Sequence, residues 1–81
     1  MTDKDVRRQI HDLDVTVWVG KSGLDAVVDE LSDQLGDRKL VKVKFLRAAR
    51  GGTTSEELAE ELAGRANAEL VQTRGNTAVY R

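Results

Sequence analysis

The chemistry legible in this chain gathers around four consecutive residues, Gly20-Lys21-Ser22-Gly23, between a run that alternates like a strand and a run that repeats like a helix. A strand-to-helix junction leaves backbone N–H groups unsatisfied by the helix, and the helix dipole adds partial positive charge there, so the position favours an anion. Lys21 puts a full positive charge at the tip. Glycines on either side allow a ligand to approach the backbone closely. The plain alternative is a tight turn in which both glycines serve conformation alone. A nucleotide-hydrolysing P-loop is disfavoured, because its pattern needs glycine five positions before Gly20, where Val15 stands, and no Walker B acid accompanies it.

Two glycines flanking two residues also make the backbone clamp by which KH domains hold a sugar-phosphate chain. Other bases could extend such a track. From Arg38 to Arg50 there are six basic residues (Arg38, Lys39, Lys42, Lys44, Arg47, Arg50) and no acidic one. Lys42 and Lys44 share an exposed strand face, where they either contact phosphate or shield the sheet surface. Arg47 and Arg50, beside Gly51 and Gly52, form either a flexible phosphate arm or a solvated loop. Arg74 sits at a hairpin, where a basic turn residue is common in any case. Arg7 and Arg8 read as a solvated helical face. Trp18, opposite in parity to the valines beside it, either stacks a base or covers the first helix, with packing the preferred reading. Tyr80 reads as sheet packing.

The formal net charge of −1 argues against a polyanion partner only as an average. Acids gather at Asp25, Asp29, Glu30, Asp33 and Asp37, and again at Glu56, Glu57, Glu60 and Glu61, so the two signs are segregated. A polyanion meets the local field first. Asp outnumbers Glu and Arg outnumbers Lys, a bias that fits adaptation to a salty cytoplasm. Catalysis has little to build on. His11 is the only histidine and there is no cysteine, so neither a triad nor a metal site has support, and no cofactor is implied. The paired glutamates read as solvated surface.

The elements that must position these residues follow from periodicity. With 81 residues, no proline and no internal repeat, a single domain over residues 1–81 is expected. No apolar run approaches the ~18 residues of a membrane span, and Met-Thr-Asp-Lys-Asp is wrong for a signal peptide, so a soluble cytoplasmic protein without membrane contact is expected. A first helix is expected from about Asp3 to His11, with Val6, Ile10 and Leu13 as its stripe. Val15, Val17 and Val19 alternate with Thr16 and Trp18 as a half-buried strand. A second helix is expected directly after the glycine loop, with Ser22 or Gly23 at its cap and Asp25 in its first turn. Its buried face is Leu24, Val27, Val28, Leu31 and Leu35, and Gly36 is its left-handed stop.

Leu40 to Leu46 reads as a strand with Val41, Val43 and Phe45 on one face and Leu40, Lys42 and Lys44 on the other. Thr54 and Glu57 form a capping box for a third helix, which buries Leu58, Leu62, Ala59, Ala63 and Ala66 and closes at Asn67. Leu70–Thr73 and Thr77–Tyr80 are strands of a hairpin around Arg74-Gly75-Asn76. The order α-β-α-β-α-β-β predicts an α/β fold with a mixed four-stranded sheet, made of parallel βαβ units and a closing antiparallel hairpin, packed with helices.

Four segments, in order, resemble one family: Val19-Gly20-Lys21-Ser22-Gly23-Leu24, Leu40-Val41-Lys42-Val43-Lys44, Ala68-Glu69-Leu70-Val71-Gln72, and Arg74-Gly75-Asn76-Thr77-Ala78-Val79-Tyr80-Arg81. They are similar to the CRM (chloroplast RNA splicing and ribosome maturation) domain in its single-domain, YhbY-like form, over nearly the whole chain. The resemblance implies a fold like the C-terminal domain of translation initiation factor three, RNA binding through the Gly20–Gly23 loop, and association with ribosomal RNA or precursors of the large subunit. The chain departs from the family in being slightly acidic and in the aspartates of its second helix, which should keep RNA off that face. The rival expectation is a protein-interaction module whose acidic helices dock a basic ribosomal protein.

Overall fold

The computed structural model describes residues 10–81. Along the chain come β1 (Val15–Val19), a single 3-10 turn at Leu24–Ala26, α1 (Val28–Asp37), β2 (Val41–Phe45), a second 3-10 turn at Arg47–Ala49, α2 (Ser55–Ala66), β3 (Leu70–Arg74) and β4 (Thr77–Tyr80). Ile10 and His11 are helical. The expectation for residues 3–9, including Val6, Arg7 and Arg8, lies outside the described residues.

The strands form one mixed sheet in the order β1-β2-β4-β3. β1 runs parallel to β2, and β4 is antiparallel to both β2 and β3. The α/β architecture is as the residue patterns predict. What periodicity left open is the strand order: the second strand of the hairpin inserts between β2 and β3 rather than adding at the edge. Both helices pack on one face. Val17, Val19, Val41, Val43, Phe45, Ala78 and Tyr80 from the sheet meet Leu24, Val27, Leu31, Leu58, Ala59 and Leu62 in a single core. Fully burying a leucine or phenylalanine contributes about 1.5–3 kcal/mol, so this layer supplies most of the apolar driving force. Tyr80 fixes its depth, its hydroxyl donating to the Ala59 carbonyl at 2.8 Å. On the other face of the sheet, Ile10 and Val79 are buried outside that core.

Local signals explain the element ends, with two corrections. Thr54 caps α2 in extended conformation, and its hydroxyl accepts from the Glu57 N–H at 3.2 Å. The Glu57 carboxylate accepts instead from the hydroxyl of Thr53, at 2.6 Å, so the box reaches one residue further back than expected. Asn67 ends the helix in the left-handed region, φ 52°, as its type predicts. Gly36, by contrast, does not stop α1. It lies within the helix, which runs to Asp37 and leaves through Arg38 in extended conformation. The chain is thus already extended three residues before β2, and no left-handed residue intervenes. The second correction lies at the start of this segment. Leu24–Ala26 is a separate 3-10 turn, and the α-helix begins only at Val28, with Val27 as its N-cap and no side-chain cap. Leu24 and Val27 are buried as expected, because positions three apart share a face in either helix type.

A hydrogen bond ties α1 to the edge strand β1. The Gln34 amide donates to the Thr16 carbonyl at 3.3 Å, satisfying a backbone group that an edge strand would otherwise present.

Candidate nucleic-acid interface

Parallel pairing of β1 and β2 sends both carboxyl ends to one end of the sheet, and three segments converge there. The Leu46 N–H donates to the Val19 carbonyl at 2.8 Å, tying the exit of β2 to the exit of β1. The Phe45 N–H donates to the Asn76 carbonyl at 2.8 Å, which brings in the β3–β4 turn. Asn76 is in turn held by the Ser55 hydroxyl, which donates to its Oδ1 at 2.9 Å and so adds the first turn of α2. Residues 20–23, residues 46–53 and the turn at Gly75-Asn76 are therefore neighbours. In open α/β sheets this end is where ligands bind.

Gly20 to Gly23 is a closed turn, the Gly23 N–H donating to the Gly20 carbonyl at 3.0 Å. The two glycines differ. Gly23 has φ 80° and ψ −173°, a region essentially restricted to glycine. Gly20 has no positive φ, and a methyl group there would meet only Leu46 Cδ1, at 3.7 Å. Conformation requires Gly23 and leaves Gly20 unexplained. Lys21 and Ser22 are exposed at the tip. The helix-dipole argument for this loop fails, because the three-residue 3-10 turn separates it from the α1 N-terminus. What the loop offers an anion is its own backbone and Lys21.

The basic run divides. Arg38 and Lys39 precede β2 and lie at the opposite end of the sheet, with Leu13 and Leu40. Lys42 and Lys44 project on the face away from the core, Lys42 half-buried and Lys44 exposed. Arg47 and Arg50 reach the carboxyl end but do not form an open arm. The segment winds through the 3-10 turn and then a turn closed from the Thr53 N–H to the Arg50 carbonyl, 3.1 Å, with Gly52 at φ 80°. Arg47 is exposed; Arg50 is folded back beside a cavity of about 370 Å³ lined also by Thr53, Thr54, Ser55, Glu56, Gly75 and Asn76. Its buried Nε has no hydrogen-bond partner among the described residues.

Register places one further group here. Trp18 pairs with Lys44, Lys44 with Thr77, and Thr77 with Arg74, so these four side chains form a row across all four strands on the face away from the core. Trp18, expected to cover the first helix, is 54 % exposed, and residues 3–9 of that helix lie outside the described residues. Sequence parity put it on the correct face; what parity could not reveal is how far it is exposed. The adjacent row, around Lys42 and Gln72, instead borders Ile10 and His11 across a cavity of about 290 Å³ that Thr77 and Arg74 also line.

Charge is segregated in space as in sequence. Asp29, Glu30 and Asp33 of α1 and Glu56, Glu57, Glu60 and Glu61 of α2 are exposed on the helical layer. Arg65 is committed to that layer, donating to Asp25 and, at 2.6 Å, to Glu61, contacts that raise its pKa. Arg81 is likewise held by Glu69, at 2.8 and 3.0 Å, and this pairing lowers the Glu69 pKa. Lys21, Lys44, Arg47 and Arg74 have no ion-pair partner among the described residues. Among those residues no group of histidines and acids could hold a metal ion, and no helix is long and apolar enough to cross a membrane.

Comparison with known proteins gives this arrangement a context. A family model for the CRS1/YhbY (CRM) domain matches residues 2–81. A protein of Methanocaldococcus jannaschii named as a probable RNA-binding protein is 41 % identical over 71 residues, covering 88 % of this chain. That match takes in 53 % of the relative, so the chain spans about half the length of the curated relative it matches. The solution structure of a Staphylococcus aureus protein, described as a candidate RNA-binding protein, superposes with a TM-score of 0.72 at 31 % identity, covering 95 % of this chain and 79 % of that one.

Proposed function

The chain belongs to the CRS1/YhbY (CRM) domain family, and from that premise we propose that it is a single-domain, non-catalytic RNA-binding protein that grips RNA at the carboxyl end of its sheet. The observation that carries the reading is Gly20, glycine without a conformational reason, in a closed turn beside exposed Lys21. A residue without Cβ there admits a sugar-phosphate backbone against the main chain, and Lys21 neutralises a phosphate. Arg47, Lys44 and Arg74 continue the positive track, and the buried Arg50 Nε is a donor that a phosphate oxygen would satisfy. Lys42, half-buried, contributes charge from behind the row. The names of the relatives point to the same class of ligand. The proposed target is ribosomal RNA or a precursor of the large subunit, and the proposed setting is ribosome assembly in the cytoplasm.

A second reading rests on the exposed acids of α1 and α2, which form a face suited to a basic ribosomal protein. Cross-linking in cell extract, with sequencing of the attached RNA, separates the two. Wild type and the Asp29→Lys/Asp33→Lys double variant should both enrich ribosomal RNA, and Lys21→Glu should lose it. Loss of ribosomal enrichment in the double variant with retention in Lys21→Glu would transfer the function to the acidic layer.

A further inference from the structure

Trp18 is the one tryptophan of the chain, and an indole 54 % exposed on a β-strand requires a physical reason. Its neighbours exclude an ordinary apolar patch. The row across the sheet reads Trp18, Lys44, Thr77, Arg74, one aromatic followed by a cation, a hydroxyl and a second cation. Strands lie about 4.8 Å apart, so the Lys44 backbone is one spacing from that of Trp18 and that of Arg74 about three. Along β1 in the other direction, Gly20 follows two residues later, about 7 Å along an extended strand. A flat apolar surface, two cations and a backbone approach point thus lie within a few nucleotides' reach of one another.

We propose that the Trp18 face takes an unpaired base, so that the ligand is single-stranded or looped RNA whose backbone is held by the Gly20–Gly23 turn. This rests on the reading of that turn as the RNA grip. The geometry selects unpaired RNA because both faces of a base inside a duplex are already covered by its neighbours, whereas an unstacked base presents a free face to the indole. Lys44 and Arg74 suit the same occupant, supplying charge for the phosphates on either side of the stacked base without fixing its identity. Sequence tolerance is therefore expected at this position. A basic protein is a poor alternative occupant, since Lys44 and Arg74 would repel it.

The tryptophan is its own probe. Labelled random-sequence single-stranded RNA, and a duplex of equal length, are titrated into the full chain while RNA anisotropy and intrinsic tryptophan emission are read together. Wild type should bind the single strand with quenched emission, and the duplex more weakly with emission unchanged. Trp18→Ala should weaken single-strand binding roughly 5- to 150-fold, the range for loss of one base–aromatic stack, with Trp18→Phe recovering part of it. Because the side chain is exposed, both variants should melt with the wild type. If the single strand binds through Lys21 but emission is unchanged and Trp18→Ala binds as the wild type does, the stacking proposal falls and the grip stands. Equal quenching by duplex also overturns the proposal. If neither RNA changes the anisotropy, the grip and the stack both fall.

Discussion

Replacing each loop glycine by alanine should separate what the fold needs from what a ligand needs. At Gly23, with φ 80° and ψ −173°, a Cβ meets nothing within 4 Å, so the cost of Gly23→Ala is backbone strain alone. Holding alanine in that region costs about 1–3 kcal/mol, offset by about 0.4–1 kcal/mol from the smaller conformational freedom of the unfolded chain. The net is about 1–2 kcal/mol. At ~4–8 °C per kcal/mol for a domain of this size, the melting temperature should fall by roughly 5–15 °C. Gly20→Ala has no positive φ to oppose it and only a 3.7 Å contact with Leu46, so its melting temperature should stay within about 3 °C of wild type. Its RNA affinity should nevertheless fall, because the methyl group occupies the surface where a sugar-phosphate chain would lie. Thermal unfolding by circular dichroism and RNA anisotropy on the same samples decide the matter. A larger melting loss in Gly20→Ala than in Gly23→Ala would refute the conformational assignment. Wild-type affinity in a fully folded Gly20→Ala would refute the close approach.

Other consequences are as direct. Tyr80→Phe removes the 2.8 Å bond to the Ala59 carbonyl and should cost about 0.5–1.5 kcal/mol in urea unfolding at neutral pH. Burial raises the Tyr80 pKa above its unfolded value near 10, so the stability it contributes is full below about pH 10 and is lost as pH rises beyond it. The gap between wild type and Tyr80→Phe should therefore narrow in alkali, and a gap that widens there would contradict the sign. Thr54→Ala deletes the acceptor for the Glu57 N–H and should lower stability by about 1 kcal/mol, with loss of helical signal confined to the start of α2 in hydrogen exchange. The exposed acids of the two helices repel one another, so the melting temperature should rise between low and molar salt; indifference to salt would remove the halophilic reading.

Most of the framework was readable from residue patterns because period and punctuation agreed. Alternation in Val15–Val19 and Leu40–Leu46, the Thr54 cap, Asn67 and the Gly75-Asn76 turn each have a local physical cause, and each is where it was expected. Three features were not local and could not be read. Whether residues 24–27 continue into α1 depends on how Leu24 seats against the sheet, and the apolar spacing is the same for a 3-10 turn as for a helix. Gly36 looked like a stop because glycine usually is one, but the helix continues through it to Asp37 and the chain leaves extended at Arg38. The run from Arg38 to Arg50 looked like one basic patch, yet β2 carries its two ends to opposite ends of the sheet. For the candidate site, the glycine loop, Lys44 and Arg74 were each identifiable singly, but their alignment with an exposed Trp18 depends on inter-strand register, which pairing alone reveals.

The central claim is that phosphates are held at the Gly20–Gly23 turn. The most direct measurement is the affinity of a structured ribosomal RNA fragment across a salt series for wild type and Lys21→Gln. Affinity should fall linearly with salt on logarithmic axes, and the variant, lacking one phosphate contact, should show weaker binding with a slope shallower by about 0.7–0.9. Coincident lines for the two proteins, or an affinity indifferent to salt, would contradict the claim.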